Sequence, residues 1–138
     1  MFVVAVDFDG TIFNGTKVLE ETGVPNPKVV AKIRELLDND LCEVVLWTCR
    51  TDQSLQEAID NLRAINLELN AYNENAPSVQ KQIDAGKLWH SRKILADLYV
   101  DDKSPGSIET FLRLDVERTA RNFIREDATN AEKKPKKF

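Results

Sequence analysis

The sequence predicts an α/β fold, in which a three-layer α/β/α sandwich is built around a mostly parallel, Rossmann-like sheet and carries no large cap domain. Short apolar runs rich in β-branched residues alternate with segments whose apolar residues recur at helical spacing. This alternation is typical of a parallel sheet that is covered by helices on both faces. Three of the apolar runs also end abruptly in polar residues, and ligands bind at that edge of an open α/β sheet.

Local patterns place the elements along the chain. Asn26 and Pro27 are typical of an N-cap and a first helical turn, and Ser104–Pro105 can begin the last helix. The predicted strands lie at residues 3–6, 42–47, 67–72 and 95–100. The predicted helices lie at residues 27–39, about 52–65 and about 104–124. A loop or small flap is expected at residues 12–25, and an irregular polar segment at residues 73–92.

Length and composition predict a single domain, residues 1–127, followed by a basic and flexible tail, residues 128–138. The net charge of −4 gives no support for binding nucleic acid, although contact of the tail with a polyanion is open. No apolar run is long enough to cross a membrane, and the chain begins directly with a strand, so neither a membrane helix nor a signal peptide is expected. Cys42 and Cys49 are predicted to be reduced thiols of a cytoplasmic protein.

Three predicted strands end in chemically potent side chains, and parallel strands end at the same edge of a sheet. The first strand ends in Asp7 and Asp9, and the last ends in Asp101–Asp102. The second strand is followed by Thr48 and Arg50. We therefore expect these side chains to converge from distant parts of the sequence. The alternative for Asp7 and Asp9 is an acidic turn that only caps a helix, but such a turn does not need to follow a buried apolar strand.

Four converging carboxylates favour Mg²⁺ over zinc or copper, because they form a hard set of oxygen donors. Mg²⁺ held in this way usually retains waters and binds a substrate phosphate. A carboxylate can also attack phosphorus and form an aspartyl-phosphate. Such a site needs positive groups to balance the phosphate charge. The candidate cations are Arg50, Lys87, Arg92 and Lys93.

The ordered motifs resemble those of the haloacid dehalogenase superfamily of phosphohydrolases, and in particular its small, capless bacterial and phage members. The resemblance spans about three quarters of the chain and implies the version of the Rossmann-like fold that is found in the haloacid dehalogenase (HAD) superfamily. It rests on Asp7–Phe8–Asp9–Gly10–Thr11, Thr48, Lys93 and Asp101–Asp102, which occur in the order of the family. The segments Trp47–Arg50, Ser91–Lys93 and Ala96–Asp102 add to the likeness.

The resemblance implies a role for each matching residue. Asp7 would be the nucleophile, and Asp9 the general acid and then the general base. Lys93 would neutralise the phosphoryl charge, and Thr48 would donate to its oxygens. The metal would be held by Asp7, the backbone carbonyl of Asp9, Asp101 and Asp102. The residues expected to contact the substrate are Gly10, Thr11, Thr48, Cys49, Arg50, Arg92 and Lys93.

Two of these positive residues have alternatives. Seven residues separate Lys93 from Asp101, so an extended chain would leave the lysine roughly 25 Å from the aspartate. The chain must therefore turn between Lys93 and about Ala96, or Arg92 or Lys87 must serve instead. For Arg50, the alternative to substrate contact is an ion pair with Asp52. For Lys93, the alternative is simple exposure to solvent. The aromatic pair Trp89–His90 lies beside this segment and could line a substrate pocket or cover the core.

The predicted function is Mg²⁺-dependent hydrolysis of a phosphomonoester. Spans too short for a cap predict an open site that suits a nucleotide, a nucleic-acid 3′-phosphate or a small phosphorylated metabolite. The alternative is a catalytically idle phosphate-binding or phospho-accepting domain of the same fold. A response-regulator receiver is disfavoured, because its phosphorylated aspartate ends a central strand, whereas the second strand here ends in Trp47–Thr48.

Overall fold

A computed structural model describes residues 1–15 and 23–130, the last seven of these by their backbone. The strands are β1 Phe2–Val6, β2 Phe13–Asn14, β3 Val24–Pro25, β4 Cys42–Leu46, β5 Ala71–Tyr72 and β6 Leu98–Val100. The helices are α1 Pro27–Leu37, α2 Asp52–Ala64, α3 Pro77–Asp84, α4 Ser107–Leu112 and α5 Val116–Asn130. Strands and helices alternate along most of the chain, as the sequence predicts.

Four strands form one sheet in the order β5-β4-β1-β6, and each neighbouring pair is parallel. Val6 at the end of β1 lies opposite Leu46 on one side and Val100 on the other. The three strands therefore end at the same level, and the residues that follow them meet at one edge. The short strands β2 and β3 pair antiparallel beside the sheet and form the predicted small flap.

The sheet is buried on both faces, which explains why β1 is apolar throughout and why β4 is apolar except for the buried Glu43. On one face, Val4 and Val6 pack in a core that includes residues of α1, α2, α4 and α5. On the other face, Val3, Ala5 and Val45 pack against α3 and the segment that follows it. This arrangement confirms the predicted three-layer, mostly parallel fold without a large cap.

Several element boundaries follow the local signals in the sequence. The Asn26 side chain accepts from the backbone N–H groups of Lys28 and Val29, so it caps α1 as predicted. Thr51 and Ser54 form a reciprocal capping box at the start of α2. Among the described residues, no helix has the length and apolar character that a membrane span requires.

Four predictions of local structure are wrong. Residues 77–84 form α3, which was predicted to be irregular because only Val79 and Ile83 mark its buried face. The single last helix is broken into α4 and α5, and Asp115 accepts from the backbone of Arg118 at the new start. Strands β5 and β6 are shorter than predicted. Helix α5 also extends to residue 130, into the predicted tail, of which residues 131–138 lie outside the described residues.

Candidate functional site

Three carboxylates converge at the carboxyl edge of the sheet, as the sequence predicts. One oxygen from each of Asp7, Asp101 and Asp102 lies within 4.8 Å of the other two. Asp7 and Asp101 are half-buried, whereas Asp102 is exposed. The cluster joins the ends of two neighbouring parallel strands that are more than ninety residues apart in the sequence.

Backbone hydrogen bonds hold the two strand ends together. The N–H of Asp7 donates to the carbonyl of Val100 at 2.9 Å, which continues the ladder one residue beyond β1. The Ser107 hydroxyl accepts from the Asp101 N–H and donates to the Asp101 carbonyl. The buried Thr11 hydroxyl accepts from the Asp102 N–H at 3.1 Å. Thr11 was predicted to contact substrate, but here it fixes the backbone of the acidic pair.

The cluster strongly perturbs the protonation of Asp7. Burial, together with the negative charges of Asp101, Asp102 and Asp9, raises the pKa of Asp7 from 3.8 to about 7, and burial is the largest of these causes. The pKa of Asp102 is also raised, by partial desolvation and then by its hydrogen bond to Asp101 and the charge of that neighbour. Three mutually repelling carboxylates are therefore held close together at the sheet edge.

Gly10 makes room for this arrangement. Its φ of +79° favours glycine, and a Cβ atom there would lie 2.4 Å from an Asp102 carboxylate oxygen. A side chain at position 10 would therefore displace Asp102 from the cluster. The predicted substrate-binding residue Gly10 thus has a definite structural role beside the carboxylates.

Asp9 does not join the acidic cluster through its side chain. Arg50 donates from Nε to Asp9 Oδ2 at 2.8 Å and from Nη2 to Asp9 Oδ1 at 2.7 Å. The arginine is 2% exposed, and its guanidinium lies 4.8 Å from the centroid of the Phe8 ring. The hydrogen bonds to Asp9 raise the pKa of Arg50. The partner of Arg50 is therefore Asp9 and not Asp52, and its donors do not face solvent.

Thr48 lies at the edge, held by a residue that the sequence interpretation missed. The Asn73 side chain accepts from the Thr48 N–H at 2.9 Å and donates to the Arg50 carbonyl at 3.0 Å. Asn73 has a φ of +53°, which asparagine tolerates better than most residues. The sequence did contain a signal for Asn73. It directly follows β5, whose carboxyl end lies at the same edge of the sheet as the ends of β1 and β4.

The chain turns after Lys93, which is one of the two alternatives that its spacing from Asp101 left open. The Tyr99 hydroxyl donates to the Ile94 carbonyl and accepts from the Ala96 N–H, which folds residues 94–96 back over β6. Asn75, which follows β5, accepts from the Leu95 N–H at 2.8 Å. Lys93 Nζ consequently lies 4.6 Å from the centroid of the Tyr99 ring, on the face of the sheet. The lysine is therefore far closer to the edge than an extended chain would place it.

The remaining predicted residues lie at the surface. Cys49 is exposed next to Thr48, and Arg92 and Lys87 are exposed in the segment that leads to Lys93. Lys93 is exposed as well, and its Nζ contacts the Tyr99 ring.

The donor set of the cluster fits a hard divalent cation. Asp7, Asp101 and Asp102 offer carboxylate oxygens, which Mg²⁺ prefers, and no nitrogen or sulfur ligand belongs to the group. A bound divalent cation would relieve the crowding of these carboxylates and lower the raised pKa of Asp7. The Asp9 carboxylate is directed to Arg50, so its side chain does not join this donor set.

Comparison with known proteins gives one informative match. The chain is similar to a solved structure of a conserved protein from Bacteroides thetaiotaomicron, with 31% sequence identity, 90% of each chain covered and a TM-score of 0.60. No protein-family model and no curated protein matches the chain. The match supports the fold, and its description names no activity.

Proposed function

The chain belongs to the same family as this conserved Bacteroides protein, and we propose that it is a Mg²⁺-dependent phosphomonoesterase. The observation that carries the proposal is the convergence of Asp7, Asp101 and Asp102 at one sheet edge. The cluster supports the proposal because its carboxylates could share a Mg²⁺ ion with the phosphate group of a substrate, beside the half-buried Asp7.

In the proposed reaction Asp7 attacks the phosphorus atom. A bond forms between the Asp7 carboxylate oxygen and phosphorus, and the bond from phosphorus to the alcohol oxygen breaks. Water then attacks the aspartyl-phosphate, which releases inorganic phosphate and restores Asp7. Asp7, Asp101 and Asp102 would hold Mg²⁺, which supplies charge neutralisation for the phosphoryl oxygens. Lys93 and Thr48 would contact the same oxygens from the chain itself.

The proton on the leaving oxygen is assigned to Asp9 by the resemblance. Both Asp9 oxygens accept from Arg50 in this structure, and each keeps a second lone pair that could take up the proton. The buried guanidinium would orient the carboxylate and limit its movement.

The same ion pair favours a second candidate function, a phosphate-binding domain without turnover. If the ion pair with Arg50 held Asp9 away from the leaving oxygen, Asp7 and the metal would still hold a phosphoryl group, but Asp9 would not protonate a poor leaving group. Such a protein would bind phosphate esters and metal and leave the esters intact.

Phosphate release from phenyl phosphate tests the proposal. We expect turnover with Mg²⁺, none with a chelator, and a loss of at least about a thousandfold in Asp7→Asn. Asp38→Asn is the matched control, because Asp38 is an exposed aspartate at the end of α1. Binding of the ester without any phosphate release by the wild type would refute the phosphomonoesterase and support the idle domain.

A further inference from the structure

A cavity of about 160 Å³ lies between α3, β6 and the segment that follows α3. Its walls are mostly apolar, and Lys93 supplies a positive charge. The wall residues that matter here are Val79, Ile83, Leu88, Trp89, Lys93 and Tyr99. None of the three carboxylates lines this cavity, and it shares Lys93 with the reaction proposed above.

The cavity lies on the face of the sheet to which Asp7 belongs. Val3 and Ala5 pack with Val79 on this face, and side chains alternate along a strand, so Asp7 continues the same row. Tyr99 of the cavity wall lies opposite Ala5. Asp7 is two residues further along β1, which corresponds to roughly 7 Å along the strand direction. The cavity therefore adjoins the acidic cluster on one side of the sheet edge.

Hydrogen bonds on two sides preform the cavity. Ser78, in the first turn of α3, donates through its backbone and its hydroxyl to the buried Glu43 carboxylate. The opposite wall is held by the Tyr99 hydroxyl, which binds residues 94 and 96. A rigid pocket of this kind binds with little ordering of its own residues.

The size and polarity of the cavity limit the kinds of molecule that can bind in it. An apolar cavity of about 150 Å³ is known to bind benzene, so this volume suits a single ring. The walls are mostly apolar, and Asn75, Ser91 and Lys93 are the polar side chains that could meet a ligand besides the Tyr99 hydroxyl, so the several hydroxyl groups of a sugar would find few partners. Lys93, with its Nζ over the Tyr99 ring, places a positive charge beside the ring site, where an attached phosphate would lie.

We propose that this cavity binds the leaving group of the substrate, and that the substrate is a phosphomonoester whose alcohol carries one aromatic or similarly apolar ring. The proposal rests on the proposed phosphomonoesterase function and narrows it. The ring occupies the cavity, Lys93 contacts the phosphate at its border, and the phosphorus atom reaches Asp7.

The test separates ring recognition from catalysis. In the presence of Mg²⁺, calorimetry measures the binding of phenylphosphonate and methylphosphonate, which lack a hydrolysable ester bond. Parallel assays measure hydrolysis of phenyl phosphate and methyl phosphate. The wild type is compared with Ile83→Trp, which fills the cavity, and with Leu88→Trp, which fills it from another wall. Ile59→Trp is the control, because Ile59 is a half-buried helical isoleucine of α2 outside the cavity.

We expect the wild type and Ile59→Trp to bind the phenyl compound at least about tenfold more tightly than the methyl compound. A folded cavity-filling variant should lose this preference and keep its affinity for methylphosphonate. Equal binding of the two compounds by the wild type, or a preference that survives in both filled variants, would overturn the proposal. Ring-selective binding without hydrolysis would support ring recognition by the cavity and refute the phosphomonoesterase activity. Hydrolysis without a preference for the ring would support the activity and refute ring recognition.

Discussion

Asp7 should destabilise the metal-free protein near neutral pH. The folded protein keeps the Asp7 proton up to about pH 7, whereas the unfolded chain releases it near pH 3.8. The folded state therefore binds more protons in this window, and the stability contributed by the group falls as the pH rises from about 4 to about 7. Asparagine at position 7 cannot ionise, so Asp7→Asn should not show this loss.

The size of the effect follows from the pKa. A shift from 3.8 to about 7 corresponds to at most ~4 kcal/mol at 1.36 kcal/mol for each pH unit. Asp7 is only half-buried and opens toward solvent at the sheet edge, so screening reduces this to about 1–2 kcal/mol. For a domain of this length, such a difference moves the melting temperature by about 3–10 °C.

Urea unfolding of the two proteins in chelator, at pH 4.5, 6.0 and 7.5, measures this difference. Asp7→Asn and wild type should be close in stability at pH 4.5, and Asp7→Asn should be the more stable by about 1–2 kcal/mol at pH 7.5. Acidic groups remote from the cluster titrate alike in both proteins and cancel in the comparison, whereas the repulsion between Asp7 and its acidic neighbours is part of the measured difference. Asp38→Asn should follow the wild type at every pH.

Added Mg²⁺ gives the complementary measurement. The ion should stabilise the wild type more at pH 7.5 than at pH 4.5, because the carboxylates that bind it must be deprotonated. It should have much less effect on Asp7→Asn. The reasoning fails if Asp7→Asn is no more stable than wild type at pH 7.5 in chelator, or if Mg²⁺ stabilises both proteins equally.

Two further substitutions test the surroundings of the cluster. Gly10→Ala should weaken Mg²⁺ binding about tenfold or more, because the added Cβ displaces Asp102. The control Gly86→Ala has a similar backbone strain but no such contact, so its Mg²⁺ affinity should not change. Equal metal affinities of the two variants, measured by calorimetry, would contradict this. Arg50→Lys should lower the free energy of unfolding by about 1–3 kcal/mol, because lysine cannot reproduce the bidentate bond to Asp9; an unchanged urea midpoint would show that the ion pair contributes nothing.

The sequence determined the class of fold and the main acidic residues of the candidate site. Apolar periodicity and β-branched runs reveal which segments are buried strands and helices, since these signals are local. Parallel strands end at one edge, so Asp7 and Asp101–Asp102 could be placed together from the order of elements alone. Where the local signal was weak, as in α3 with its two core residues, the prediction failed.

Only the tertiary structure decided what each side chain at the edge contacts. Arg50 was a plausible substrate ligand by its position, yet its guanidinium is buried against Asp9, a residue forty-one positions away. Thr11, Asn73 and Tyr99 likewise take their roles from bonds to distant segments. Sequence periodicity reports the face on which a residue lies, because that depends on its neighbours along the chain. Its hydrogen-bond partner depends on how the strands and loops pack, and packing is settled only when the whole chain is folded.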